Sequence, residues 1–283
     1  MSPALLGLVL VAALCHASWN TVARQHAGHL AVLWLGALLA CVAITPFAVA
    51  IIWRSPAAIP LTGTAVGCML ATGVLHGLYF LALSAAYQRG EISVVYPVAR
   101  GSGIALTAIG GTWLLDEHLS LTGYIGIAAV SIGILLFAIP GWKTRGRGIR
   151  QALAVGAIIP TYSLVDKVGT DVVHPIVYIW VMYGLTCSVL LLPVYRRFGP
   201  RITLLARERA RGIAVIGLGA MLTYLIILYA YGLGPVGYVV AARESSVLFG
   251  ALFGVLFLHE RLTGWRLAAL GAVLVGLVCL RLA

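Results

Sequence analysis

Apolar runs of nearly bilayer length, separated by short polar breaks, recur ten times along this chain. A spanning helix needs roughly 20 mostly apolar residues. The runs cover residues 4–23, 30–53, 64–87, 92–115, 121–139, 151–165, 175–195, 212–231, 235–258 and 263–280. The sixth is the shortest, so its ends are the least defined. The runs are continuous and rich in Leu, Ala and Gly, unlike the alternating ten-residue strands of a membrane barrel. The pattern predicts an all-α membrane protein with ten transmembrane helices.

These runs form two sets of five. A shift of 143 residues superposes Arg100, in VVYPVARGSGIALTAIGGTWLLDEHLS, on Arg243, in YVVAARESSVLFGALFGVLFLHERLT, and Glu117 on Glu260. The same register pairs Ser102 with Ser245, Gly111 with Gly254, Gly133 with Gly276 and Trp19 with Tyr162. Chance pairs Leu, Ala and Gly often, but not Arg, Glu and Ser in one constant register. Five helices is an odd number, so the second half enters the membrane from the opposite side. The expectation is two inverted five-helix repeats, residues 1–140 and 151–283, joined by a basic linker at 141–150. Inverted repeats place solute sites near the midplane between the halves. Gly250 with Gly254, and Thr107 with Gly111, have the small-xxx-small spacing of close helix packing.

Composition agrees: 61% of the residues are hydrophobic and 10% charged, which excludes a water-soluble domain. The net charge of +11 would suggest nucleic acid in a soluble protein, but its placement points elsewhere. Fourteen basic residues fall on one set of alternate loops, and three, Arg54, Lys167 and Arg281, on the other. The positive-inside rule makes the basic set cytoplasmic and both termini external. Anionic headgroups of the bilayer, not nucleic acid, are then the partners of the Arg-rich segment 196–211. The opening MSPALLGL has no basic residue ahead of its apolar run, so that run is expected to remain as the first helix of a multi-pass protein of the plasma (inner) membrane. Cys15, Cys41, Cys68, Cys187 and Cys279 lie in apolar runs without CxxC or CxxH spacing and read as packing residues.

The segments LLDEHLSLTGYIGIAAVSIGILL and FLHERLTGWRLAALGAVLVGLVCL resemble the E-x-L-[ST] ends of the fourth and ninth helices in EamA-type members of the drug/metabolite transporter superfamily. YFLALSAAYQRGEISVVYPVAR is similar to that family's passage from third to fourth helix, and HASWNTVAR to its first helix. The resemblance covers nearly the whole chain. It implies a ten-helix inverted-repeat carrier without a bound cofactor, and export is the direction expected. Such proteins are described with both termini cytoplasmic, the reverse of the orientation argued from charge here.

Arg100 and Arg243 are the sharpest chemical signals. An arginine in the middle of a spanning helix costs about 2.5–3.5 kcal/mol on insertion scales and must face the bundle interior, water or a partner. Its planar fork suits carboxylate or phosphate groups, so the pair reads as an anion site for the acidic end of a solute, or as structural, with Arg243 neutralised by a carboxylate or by backbone carbonyls. Glu244 is read as the only carboxylate well inside a helix: a candidate for proton coupling, or a salt bridge to Arg100. Tyr96 precedes Arg100 by one turn, and Pro97 removes a backbone donor there. His76 and Tyr79 share a helix face. Trp19, Asn20 and His16 form a polar stripe on the first helix, in which Asn20 bridges helices and Trp19 walls a cavity. Glu117 and Glu260 stand at the entries to the fifth and tenth helices, where a carboxylate complements the dipole. Lys167, Asp166 and Asp171 read as a solvated cluster at a helix end.

Three classes of function compete. The leading one is a secondary transporter of small polar metabolites, anionic or zwitterionic and amino-acid-like, working by alternating access with the proton as a possible partner. No G-x-x-x-x-G-K-[ST] phosphate loop is present to support drive by ATP. A membrane-embedded enzyme on a lipid-linked substrate would need a nucleophile with its base, paired carboxylates or a metal cluster at one depth. A channel fits the inverted repeat less well.

Overall fold

A computed structural model describes residues 1–23, 29–90, 92–139, 148–258 and 263–283. Glu260 and most of the basic linker lie outside them. Twelve α-helices are described, and no strand: α1 (Pro3–Ala23), α2 (Leu30–Arg54), α3 (Gly63–Arg89), α4 (Ile92–Leu114), α5 (Leu121–Leu136), α6 (Ile149–Val172), α7 (Pro175–Phe198), α8 (Ile202–Glu208), α9 (Ala210–Tyr231), α10 (Val236–Arg243), α11 (Ser246–Leu258) and α12 (Gly264–Leu282). Among the described residues eight helical stretches are long and apolar enough to cross a membrane, and α5 is a shorter apolar helix. The helices begin where the chain supplies caps. The side chains of Thr62, Ser120 and Thr263 accept from Ala65, Gly123 and Arg266 N–H, satisfying donors that the first turn leaves free.

Three boundaries differ from the sequence expectation. α6 runs to Val172 and not to 165, because Asp166, Lys167 and Asp171, which break the hydropathy pattern, are helical. The short α8 precedes α9. The ninth run divides at Glu244 and Ser245 into α10 and α11, where Val247 N–H bonds Glu244 C=O at 3.0 Å and Leu248 N–H bonds Ser245 C=O at 2.9 Å. These three-residue closures tighten the helix locally, a geometry often found at functional hinges. In α4, by contrast, Pro97 is accommodated inside a continuous helix.

The packing has a regular pattern. α1 packs on α9, and α6 on α3; α2 packs on α9, and α7 on α3; α1 packs on α10 and α11, and α6 on α4. α5 packs on α12, and α2 on α7. Every one of these pairings survives the exchange of α1 with α6, α2 with α7, α3 with α9, α4 with α10 and α11, and α5 with α12. The α5–α12 crossing repeats the rule at residue level. A Cβ on Gly126 would stand 2.9 Å from Gly276 C=O, and one on Gly133 would stand 2.9 Å from Ala269 C=O. The 143-residue shift turns one pair into the other. Glycine is needed there because the two backbones touch. At Gly250, in contrast, an added Cβ meets nothing within 4 Å, so the small-xxx-small reading does not extend to that glycine.

Contacts at the helix ends sort into two sets. At one end Arg281 Nη1 donates to Met1 C=O at 3.4 Å, and His174 N–H to Ala58 C=O at 3.1 Å. At the other, Arg197 Nη2 donates to Gln88 Oε1 at 3.3 Å, Trp265 Nε1 donates to Leu136 C=O at 2.7 Å, and Gly148 abuts Gly90. The second end carries Arg89, Arg150, the arginines of 196–211 and Arg266. The outer faces expose Val42 and Phe47 on α2 and Leu274 and Val275 on α12, as a lipid-facing surface requires.

Candidate functional site

The packing of α10 on α4 brings Arg100 and Arg243 to one carboxylate. Arg100 Nη1 lies 3.1 Å from Glu244 Oε1, and Arg243 Nη2 lies 3.6 Å from the same oxygen. Arg100, Arg243 and Glu244 are 9%, 5% and 1% exposed. The salt bridge from Glu244 to Arg100 is therefore present, and Arg243 shares it. At 3.6 Å the Arg243 contact is a charge contact and not a hydrogen bond.

The cluster is incompletely paired. Arg243 Nε and Nη2, Glu244 Oε2 and Ser245 Oγ are buried without a hydrogen-bond partner among the described residues. Each buried unmatched donor costs about 1–3 kcal/mol, and more for charged groups. Two guanidinium groups face one carboxylate here, so the immediate cluster has a net positive charge and free donors. Arg100 also stands over the Tyr96 ring, 5.5 Å from its centroid, and His16 on α1 lies near both arginines.

A second polar cluster adjoins the first on α6. Tyr162 lies beside Arg243, and its ring packs on His76, with centroids 4.4 Å apart. Tyr79 meets Tyr162 edge-on at 5.7 Å, and Tyr224 meets it at 6.2 Å. His76 Nδ1 lies 3.0 Å from Thr72 C=O and 3.2 Å from Thr72 Oγ1.

One turn beyond Tyr162, Asp166 is fully buried. Tyr178 OH donates to its Oδ1 at 2.9 Å, and Tyr224 OH donates to its Oδ2. Asp166 is thus a core carboxylate, and it corrects two readings: it is not part of a solvated cluster, and Glu244 is not the only carboxylate inside a helix. The solvated reading fits its neighbours better, since Lys167 Nζ reaches Asp171 at 3.4 Å and Tyr231 C=O at 2.6 Å. The usable signal was spacing: Tyr162 and Asp166 are four apart, on one helix face.

Trp19 donates through Nε1 to Thr223 Oγ1 at 3.2 Å, packs against Gly219 on α9 and meets His16 edge-on with centroids 4.8 Å apart, so it ties α1 to α9. Asn20 is half-buried near the end of α1. Glu117 Oε1 accepts Val236 N–H at 2.8 Å. It caps α10, and not the α5 that follows it.

Residues 146–282 match the EamA-like transporter family, and residues 49–130 match the Small Multidrug Resistance protein family. The chain is 35% identical over 65 residues to "Uncharacterized protein y4nH" of Sinorhizobium fredii (strain NBRC 101917 / NGR234), a stretch covering 23% of this chain and 56% of that protein. It is 32% identical over 87 residues to "Uncharacterized transporter in cobO 3'region" of Sinorhizobium sp, covering 31% of this chain and 60% of that one. The chain therefore spans less than two thirds of either curated relative. A crystal structure of a protein superposes with a TM-score of 0.71 at 13% identity, over 100% of this chain and 98% of the other, a likeness of fold alone. The second half of the chain is thus similar to the EamA-like transporter family, and the apolar helices are those of a protein integral to the membrane in several passes.

Proposed function

We propose that this chain is a secondary transporter in which ten spans form two inverted five-helix repeats, residues 1–140 and 151–283, that rock against each other around the arginine pair. The exchange symmetry of the helix pairings and of the Gly126–Gly276 and Gly133–Ala269 contacts supports the repeat. The solute is a small polar metabolite with an anionic head, and the anion site is Arg243 with Arg100. The observation that carries this reading is the buried Arg243 guanidinium whose Nε and Nη2 have no hydrogen-bond partner among the described residues. A carboxylate or phosphonate would supply acceptors in the bidentate geometry that guanidinium favours. Export is the direction proposed, and Glu244, already between the arginines, is the group to exchange a coupling proton.

Thermal shift of the purified protein against organic acids and their neutral amides tests the anion site. A bound solute stabilises the folded protein as ln(1 + [L]/Kd). Acids should raise Tm and amides should not, and Arg243→Gln should abolish the difference. Equal shifts from acids and amides would refute it. Uptake into right-side-out and inside-out vesicles distinguishes export from import.

A further inference from the structure

Asp166 has no role in the anion site, yet it is a fully buried carboxylate near it. Its two oxygens are held by Tyr178 on α7 and Tyr224 on α9. Among the described residues no Lys, Arg or His nitrogen lies within ion-pairing distance of it. The adjacent Lys167 turns instead to Tyr231 C=O and Asp171. A buried carboxylate with hydrogen bonds but no counter-charge is costly, and a visiting cation would offset that cost.

The surroundings suit one cation chemistry. The rings of His76, Tyr162 and Tyr224 meet at centroid separations of 4.4, 5.3 and 6.2 Å, with Tyr79 beside Tyr162. Aromatic side chains beside a carboxylate can hold an ammonium group, the rings through their quadrupoles and the carboxylate through its charge. The place of the cluster also matters. Tyr162 lies beside Arg243 and Asp166 lies four residues on along α6, so the carboxylate stands about one helical turn, roughly 6 Å, from the level of the guanidinium.

We propose that Asp166, with the rings of Tyr162, Tyr224 and His76, binds an ammonium group at the far end of the solute. The transported class is then a zwitterion whose anionic head and amine are several bonds apart, an ω-amino acid and not an α-amino acid. This rests on the reading that Arg243 takes the anionic head. Charge balance supports it independently. The buried set holds two guanidinium groups and two carboxylates, Glu244 with the arginines and Asp166 apart from them, so a zwitterion enters without adding net charge to that set, whereas a simple anion adds one.

The test is calorimetric binding of six probes to the full chain in lipid nanodiscs: butyrate, 2-aminobutyrate, 4-aminobutyrate, hexanoate, 2-aminohexanoate and 6-aminohexanoate. The expected result is that at least one ω-isomer binds about tenfold or more tighter than both its α-isomer and the parent acid, the scale of a desolvated cation–π contact. Asp166→Asn should erase that advantage while the parent acid binds as before, and Asp166→Glu should restore part of it. Arg243→Gln should weaken acids and amino acids alike. Should Asp166→Asn not fold, loss of the ω advantage in Tyr162→Leu carries the same test.

Equal binding of ω-isomers and parent acids overturns the ammonium site while leaving the anion site standing. Equal weakening of all probes by Asp166→Asn makes Asp166 structural and overturns it too. Binding that is insensitive to Arg243→Gln rejects the anion site, and with it this inference. A wild-type protein that binds none of the six rejects both for solutes of this class.

Discussion

Glu117 Oε1 accepts the backbone N–H of Val236 at 2.8 Å, so a carboxylate from the loop between α4 and α5 caps a helix 119 residues away. Beside it, Ser120 N–H donates to Tyr238 OH at 3.1 Å, and Gly123 leaves room for that hydroxyl. The loop between α4 and α5 thereby grips the start of α10, the helix that ends in Arg243. Loss of a side-chain cap typically costs about 0.5–2 kcal/mol, so Glu117→Ala should lower Tm measurably. An unchanged Tm would mean that water replaces the carboxylate without loss.

Glu117 also predicts a pH dependence. Burial holds its carboxyl above the ordinary carboxylate range, with the Val236 N–H acting in the opposite direction. A carboxyl whose folded value is raised contributes stability below its unfolded value, and that contribution is lost as pH rises through the folded value. Tm of the wild type should therefore fall more between about pH 4 and pH 8 than Tm of Glu117→Gln. Parallel profiles would refute the assignment.

The charge distribution predicts orientation. In a background lacking Cys15, Cys41, Cys68, Cys187 and Cys279, a cysteine at Arg207 should resist a membrane-impermeant thiol reagent in intact cells. One at Leu61, on the opposite end and 83% exposed, should react. The reverse pattern would show that the positive-inside rule fails for this chain.

Glu244 lies between two cations, so Glu244→Gln should destabilise the protein by removing their shared counter-charge. Breaking a buried pair costs about 3–5 kcal/mol. If Glu244 also carries the coupling proton, the folded fraction should take up solute independently of an imposed pH gradient. Unchanged gradient dependence in vesicles would leave it a structural counter-ion.

The helix crossings predict which glycines matter. Gly276→Val should destabilise the protein by about 1–3 kcal/mol, the usual cost of overpacking, because a Cβ there would stand 2.8 Å from Gly126 C=O. Gly250→Ala, in open space, should be neutral or stabilising, as Ala exceeds Gly in helix propensity. Chemical or thermal unfolding of the two variants in parallel measures this, and equal losses would contradict the packing described.

The apolar runs and the 143-residue register were legible in the chain because each spanning helix satisfies its own backbone hydrogen bonds, so its presence is a local property of composition and length. Arg100 and Arg243 stood out for the same reason, as local violations of that composition. Which groups those arginines meet is not local. Helix packing set Glu244 between them, carried Glu117 to the start of α10, and turned Trp19 toward α9. Asp166 was hidden because it sits in a polar sequence, DKVGTD, whose neighbours do reach the surface. Hydropathy averages over such a stretch, and only the rotation of α6 against α3, α7 and α9 decided that Asp166 points inward to two tyrosines while Lys167 and Asp171 point away.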